Sequence, residues 1–212
     1  MIIKQYGIEL HRLNEKHIEM LRQWRNADSI RCFMEHRDLI SPEQQKKWFD
    51  LLNPTGDFYF IIYSNNKALG MIQTNHVNWQ GKSAYSGLFI YDEVFIGSPA
   101  PLLASLTMLD VFFYCFGLEA CYAKVATTNK VAINYNISLG FRPVNHDPEK
   151  AFQAYILTKD SYEKHSATWR KLAEKIQPGK GTILFSTQSH QLLKPYIIPN
   201  ENFEIKLDKP SY

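Results

Sequence analysis

Residues 90–141 read IYDEVFIGSPAPLLASLTMLDVFFYCFGLEACYAKVATTNKVAINYNISLGF, and this stretch decides the fold. It runs strand, loop, apolar helix, strand, short helix, glycine. Leu102, Leu103, Leu106, Leu109, Val111, Phe112, Phe113 and Phe116 make a helix too apolar to lie on a surface. Gly97 and Ser98 stand where it starts, and Gly117 where it stops. Glu119 to Ala126 reads as a buried strand, and Asn129 opens a second helix that Gly140 closes. A strand feeding a loop at a helix N-terminus suits an anion, because the first N–H groups are unpaired and the helix dipole favours negative charge. The stretch therefore predicts an α/β core with an anion-binding loop near residues 95–103. An ordinary β-loop-α-β unit without a ligand has the same pattern.

Working outward, Ile8 to Leu10 is the expected first strand. Asn14 is a good N-cap for a helix with Ile18, Leu21 and Trp24 on one face. Ser29 to Met34 is a second helical segment. Ser41-Pro42-Glu43-Gln44 combines cap, first-turn proline and capping-box glutamine, and starts a helix carrying Trp48, Phe49, Leu51 and Leu52. Three strands follow, at Asp57–Tyr63, Lys67–Trp79 and Ser83–Tyr91, with Ser64-Asn65-Asn66 and Gln80-Gly81-Lys82 as turns. After the central unit, Phe141–Val144 and Phe152–Thr158 are strands joined by a polar loop at 145–150. Ser161–Ile176 is a helix, and residues 177–181 mark a boundary. Thr182–Ser186, Tyr196–Ile198 and Phe203–Leu207 read as short β pieces of a C-terminal extension, 177–212, that packs on the core, pairs with another subunit, or covers the site.

Composition narrows the function. Hydrophobic residues make up 45% and charged residues 21% of the 212, as in a soluble globular protein with a sizeable core. The net charge of +3, with both signs scattered, is too weak for a nucleic-acid partner and tilts slightly toward anionic ligands. No apolar run reaches the ~18 residues of a membrane span, and the N-terminus lacks a signal-peptide pattern. The odd count of 3 cysteines, Cys32, Cys115 and Cys121, suits reduced thiols in a cytoplasmic protein. The 7 histidines are scattered without metal-ligand spacing.

The element order β-α-α-β-β-β-α-β-α-β-β over residues 7–160 resembles the GNAT (Gcn5-related) N-acetyltransferases. The residues that carry the likeness are Trp24-Arg25-Asn26, the helix Ser41–Leu52 with Trp48-Phe49, Gly70, Gly87, Gly97, Phe113 before Gly117-Leu118, Asn129 with Ala132-Ile133, and Leu139-Gly140-Phe141. The WRN and WF pairs are similar to the branch of ribosomal-protein and bacterial amino-sugar N-acetyltransferases. The resemblance implies a mixed, centrally splayed sheet flanked by helices over residues 1–176. It also implies acetyl-CoA as co-substrate, lying between the strands at 83–91 and 119–127. Leu88, Phe89 and Ile90 would pair with the pantetheine arm. Gly97, Ser98, Ala100 and Leu102 would meet the pyrophosphate, and Asn129 would contact the cofactor.

The implied chemistry is direct attack of a primary amine on the thioester, with the oxyanion held by a backbone N–H near Leu88. A small-molecule amine acceptor, such as a nucleotide-linked amino sugar, would meet Trp24, Arg25, Asn26, Arg31 and Trp48, where a guanidinium suits phosphate and an indole face suits a sugar or base. His76 is the one histidine in a central strand and the candidate base, with Asp92 and Glu93 nearby. Two departures stand out. The family loop, Gln/Arg-x-x-Gly-x-Gly/Ala, falls here on Ile96, Pro99 and Pro101, and two prolines remove two donors. The position of the family's tyrosine acid is Asn136, with Tyr135 one residue, about 100°, away. Tyr135, His76 and Asn136 are thus the catalytic candidates, and packing is the other reading of Tyr135. A protein N-terminal acetyltransferase and a non-catalytic GNAT-like scaffold are the rival functions. A homodimer is compatible with the sequence.

Overall fold

The computed structural model describes residues 1–145, 147 and 149–208; His146 and Pro148 of the loop at 145–150, and the last four residues, lie outside it. The chain opens with a hairpin, β1 (Ile2–Gln5) and β2 (Ile8–Arg12). Its turn residues Tyr6 and Gly7 both have positive φ, 53° and 75°, as the twist of a two-residue hairpin requires. The strand expected first is therefore the second. Ile2–Gln5 is too short at the terminus to show alternation.

Asn14 accepts from the Lys16 N–H and starts a 3-10 turn that runs into α1 (Ile18–Asn26). A single turn, α2 (Asp28–Arg31), follows. Then comes α3 (Pro42–Asp50), whose capping box pairs Ser41 and Gln44 reciprocally. β3 (Phe58–Ser64) turns through Asn65 and Asn66, at φ 48° and 62°, into β4 (Lys67–Asn78), which pairs with β5 (Ser83–Ile90). Gly70 is required at this pairing, because a Cβ there would lie 2.2 Å from the Phe89 carbonyl oxygen.

The apolar helix α4 (Ala100–Asp110) is buried along nearly its whole length and ends as a π-helical turn, Val111–Cys115. The Phe116 N–H there reaches back to Val111. Gly117, at φ 66°, releases the chain into β6 (Ala120–Ala126). α5 (Lys130–Ser138), β7 (Arg142–Pro143), β8 (Phe152–Thr158) and α6 (Lys159–Ile176) complete the predicted order.

The extension joins the same sheet. β9 (Gly181–Phe185) pairs antiparallel with β1, α7 (Thr187–Leu193) crosses over, and β10 (Phe203–Leu207) pairs parallel with β9. Helix α7 was not legible in the sequence, and Tyr196–Ile198 is not a strand: Tyr196 ends a 3-10 turn. The sheet order is β10-β9-β1-β2-β3-β4-β5-β6-β8-β7.

Strand β3 is buried on both faces, and its alternation divides two cores. Phe58, Phe60 and Ile62 face α4 with Phe112 and Phe113, while Tyr59 and Ile61 face α1 and α3 with Leu21, Trp24, Met71 and Phe89. Such burial on two faces explains its continuous apolar run. Tyr196 stacks on Trp79 at 4.0 Å, and the Ile198 N–H donates to Cys115 at 2.7 Å. The extension therefore docks where β5 and β6 begin. Among the described residues no helix is long and apolar enough to cross a membrane.

Candidate active site

The parallel pair β5–β6 is joined only at Ser83–Ala120, Ala84–Cys121 and Tyr85–Tyr122. Beyond it the strands part, leaving Ser86–Ile90 without a strand neighbour on that side among the described residues. The parity of β5 follows from one bond. The Tyr91 N–H donates to the Leu69 carbonyl, so residues 85, 87, 89 and 91 direct their peptide groups to β4. The peptide groups of Ser86, Leu88 and Ile90 point into the fork. Of the three residues expected to pair with a pantetheine arm, Leu88 and Ile90 fit. Phe89 does not, since its peptide bonds to β4 and its buried ring packs edge-on to Trp24.

The loop before α4 offers fewer donors than its sequence suggests. The Ser98 N–H donates to Phe95, the Ala100 N–H donates to the Ser98 hydroxyl, and that hydroxyl donates to Phe95; Leu103 donates to Pro99. Ser98 and Ala100 are thus spent on the helix start, as a capping serine is. Among the described residues the N–H groups of Gly97 and Leu102 have no protein acceptor. A Cβ at Gly97 would meet nothing within 4 Å, so space lies open over the loop. Asn129 caps α5, its side-chain oxygen accepting from the Ala132 N–H, which leaves its amide NH₂ for a ligand.

Tyr135 reaches α4. Its hydroxyl donates to the Pro101 carbonyl at 2.9 Å and bonds Ser105 at 2.7 Å, and burial raises its pKa well above the ordinary value. This is the bonding of a packing tie, so the structure runs against Tyr135 as a poised acid. Asn136 bonds back along its own helix, to the Ala132 carbonyl. The thiols of Cys115 and Cys121 are buried, which pushes both up to about 12.

On the other face of the fork lie α1, α2 and α3. Trp24 is core, stacked on Tyr91 at 5.3 Å. Trp48 packs edge-on to Tyr59. Asn26 exchanges two bonds with Ile40, clamping α1 to the segment before α3, and Arg31 is tied to Asp28 and the Arg37 carbonyl, its Nε alone lacking a partner among the described residues. All four are held by contacts within the protein. Arg25 differs in that its guanidinium makes no hydrogen bond or ion pair among the described residues. Its side chain is half-buried, and desolvation lowers its pKa although it stays a cation. Its Nε has no partner among the described residues, and the Tyr59 phenol is the group whose charge acts on it.

Beside it Asn75 is buried, donates to the Tyr59 hydroxyl at 2.9 Å, and leaves its own Oδ1 without a partner among the described residues. Sequence reasoning missed Asn75 and Tyr59. The available signal was strand parity, since Gln73, Asn75 and the apolar Met71 share one face of β4. His76, the residue expected there, sits at a bulge with φ 50°, exposed, its ring edge-on to Tyr85 at 6.2 Å. Tyr85 contacts Tyr122 at the point where the strands part. Asp92 is consumed by Lys67 at 2.5 Å. Glu35 pairs with Lys124 of β6. Among the described residues no group of three or more His, Cys, Asp or Glu is placed to hold a metal ion.

No family model matches the chain, and no curated protein matches it in sequence. Solved structures do resemble it. Spermidine N-acetyltransferase from Vibrio cholerae, in complex with CoA and spermine, superposes with a TM-score of 0.67 at 16% identity, over 74% of this chain and 98% of that one. FdhC, a nucleotide-linked sugar GNAT, gives 0.67 at 18%, over 81% and 97%. RimL, a ribosomal L7/L12 α-N-protein acetyltransferase in complex with CoA, gives 0.63 at 17%, over 76% and 99%. The element order, the fork between β5 and β6, and these superpositions agree: the chain has the fold of the GNAT N-acetyltransferases.

Proposed function

We propose that this protein is an acetyl-CoA-dependent N-acetyltransferase acting on a primary amine, and that its acceptor carries an anionic group, a nucleotide-linked amino sugar being the class that fits. The observation that carries the reading is the fork. A strand edge with free N–H and C=O groups at alternate residues is a template for an extended amide ligand. In this reading Ser86, Leu88 and Ile90 hold the pantetheine arm, and the Gly97 and Leu102 N–H groups with Asn129 hold the phosphates. Acetyl-CoA supplies the acetyl thioester. The chain orients the amine against it and places a backbone N–H from the Leu88 region at the developing oxyanion. His76, at the rim beside Tyr85, takes the amine proton through solvent.

Arg25 favours an anionic acceptor over a polyamine or a peptide N-terminus. It is the desolvated cation on that face, and the nearby Glu35 is already neutralised by Lys124. A half-buried guanidinium whose Nε lacks an acceptor is well placed for an anion to complete it.

Calorimetry with acetyl-CoA should give one site per chain with a micromolar Kd, weakened at least about tenfold by Gly97→Trp. In a panel of amines, Arg25→Ala should raise KM for the acceptor about tenfold or more and leave that for acetyl-CoA unchanged. A second reading, a scaffold that no longer binds cofactor, draws on Pro99 and Pro101 and the loss of loop donors. The absence of binding at millimolar acetyl-CoA would establish it.

A further inference from the structure

Strand β10 is the end of the sheet, and its outer edge has a definite pattern. The Gly181 N–H donates to the Asn202 carbonyl, and the Asp208 N–H donates to the Phe185 carbonyl. Even-numbered residues therefore face β9, and the peptide groups of Phe203, Ile205 and Leu207 face outward, the Phe203 N–H being taken by the Asn200 carbonyl at 3.2 Å. Among the described residues no strand pairs with them. The side chains alternate likewise. Phe203, Ile205 and Leu207 continue the row of Gly181, Ile183 and Phe185. Ile183 and Phe185 are fully buried, whereas Ile205 is 36% and Leu207 53% exposed. On the opposite face Glu204 and Lys206 lie two residues apart, 2.7 Å from each other.

A free, flat, apolar edge is a liability that proteins blunt with charge or proline, or use. Here the five residues carry no proline and no bulge, while Pro199 and Pro210 bound them on either side.

We propose that this edge is a self-association site, at which two copies pair antiparallel along Phe203–Leu207 about a two-fold axis through Ile205. In that register Phe203 faces the partner's Leu207; the Ile205 N–H and C=O pair with those of the partner's Ile205, and each Leu207 N–H donates to the partner's Phe203 carbonyl, while the Phe203 N–H stays with Asn200. The two Ile205 side chains meet on the axis. On the other face Glu204 lies opposite the partner's Lys206, and Lys206 opposite the partner's Glu204. The sequence is thus self-complementary in charge, in apolarity and in backbone parity at one register. A shift by one residue would set outward peptide groups against inward ones. The contact is isologous and closes at two copies, so it yields a dimer and not a fibre. The segment lies in the extension, away from the fork, and the proposal does not depend on the catalytic reading. Five residues bury less than a standard interface, so the dimer is micromolar or weaker.

Sedimentation of the full chain over a concentration series to about 1 mM tests the proposal, each variant first being shown to keep the parent's thermal unfolding. The parent should dimerise with concentration. Ile205→Lys, which sets two ammonium groups together on the axis, should leave monomer only. Glu204→Lys puts like charges opposite each other twice and should weaken the dimer about tenfold. The double change Glu204→Lys with Lys206→Glu restores opposite charges and should recover it. A monomer at every concentration overturns the proposal. So does a dimer indifferent to Ile205→Lys, or one weakened by Glu204→Lys and not recovered by the double change.

Discussion

The phenolic oxygen of Tyr135 joins two helices, accepting from the Ser105 hydroxyl and donating to the Pro101 carbonyl at the first turn of α4. A proton donor for a departing thiolate needs a free hydroxyl whose pKa sits near the working pH. This one is bonded, and burial moves it the wrong way. Tyr135→Phe should therefore cost about 1–3 kcal/mol of stability in denaturant unfolding, because Ser105 and a helix carbonyl lose a partner. It should leave turnover near the parent value. A large fall in kcat with unchanged stability would restore the acid. Asn75 shows the complementary case. It neighbours His76 in sequence, yet one residue along a strand changes the face, and the bulge at His76 then turns that ring to the rim.

Helix α4 is the centre of the larger core, and it carries one carboxylate, Asp110, 3% exposed. Tyr6 of the first hairpin donates to it at 2.9 Å, and Tyr162 of α6 donates at 2.8 Å. Arg170 approaches at 3.4 Å. Hairpin, central helix and α6 thus share a buried polar knot, placed where α4 widens into its π turn. An isolated Asp in so apolar a run was visible in the sequence; its partners, about 50 to 100 residues away, were not.

Burial holds the carboxyl above the usual carboxylate range, against the pull of Arg170 and the two tyrosines. A carboxyl with a raised folded pKa binds a proton more tightly folded than unfolded. Its contribution is then fully present below the unfolded value of about 3.9 and is lost as pH rises through the folded value. Compared with Asp110→Asn across a pH series of urea unfolding, the parent should lose relative stability as pH rises above about 4. A difference independent of pH would mean that the carboxyl is not shifted.

At the scale of the molecule, the last strands extend the sheet past β1 and do not form an appendage. Ile183, Phe185, Leu193 and Phe203 are all buried, and at about 1.5–3 kcal/mol each they contribute roughly 6–12 kcal/mol before the entropy of ordering the segment. That is comparable to the whole stability of a domain, about 5–15 kcal/mol. A chain ending at Gln177 would also uncover Trp79 and the edge of β1. We expect it to lose the cooperative thermal transition and near-UV dichroism of the full chain. A truncated chain melting within a few degrees of the parent would contradict this.

The elements from Asn14 to Ile176 and the central unit were legible because their signals are local: caps at Asn14, Ser41 and Asn129, Asn-rich turns, and an apolar run with glycines at its ends. Local signals, with a family resemblance in their order, are enough to predict where helices and strands lie and that an α/β core surrounds α4. They do not report which way a residue faces or what its polar atoms meet. The parity that turns the peptides of Leu88 and Ile90 into the expected fork and that of Phe89 away from it, the capture of Ser98, Asn26 and Arg31 by their own surroundings, and the isolation of Arg25 are consequences of pairing between distant segments. Only the tertiary structure decided them, because a hydrogen bond or a desolvated charge belongs to two places in the chain at once.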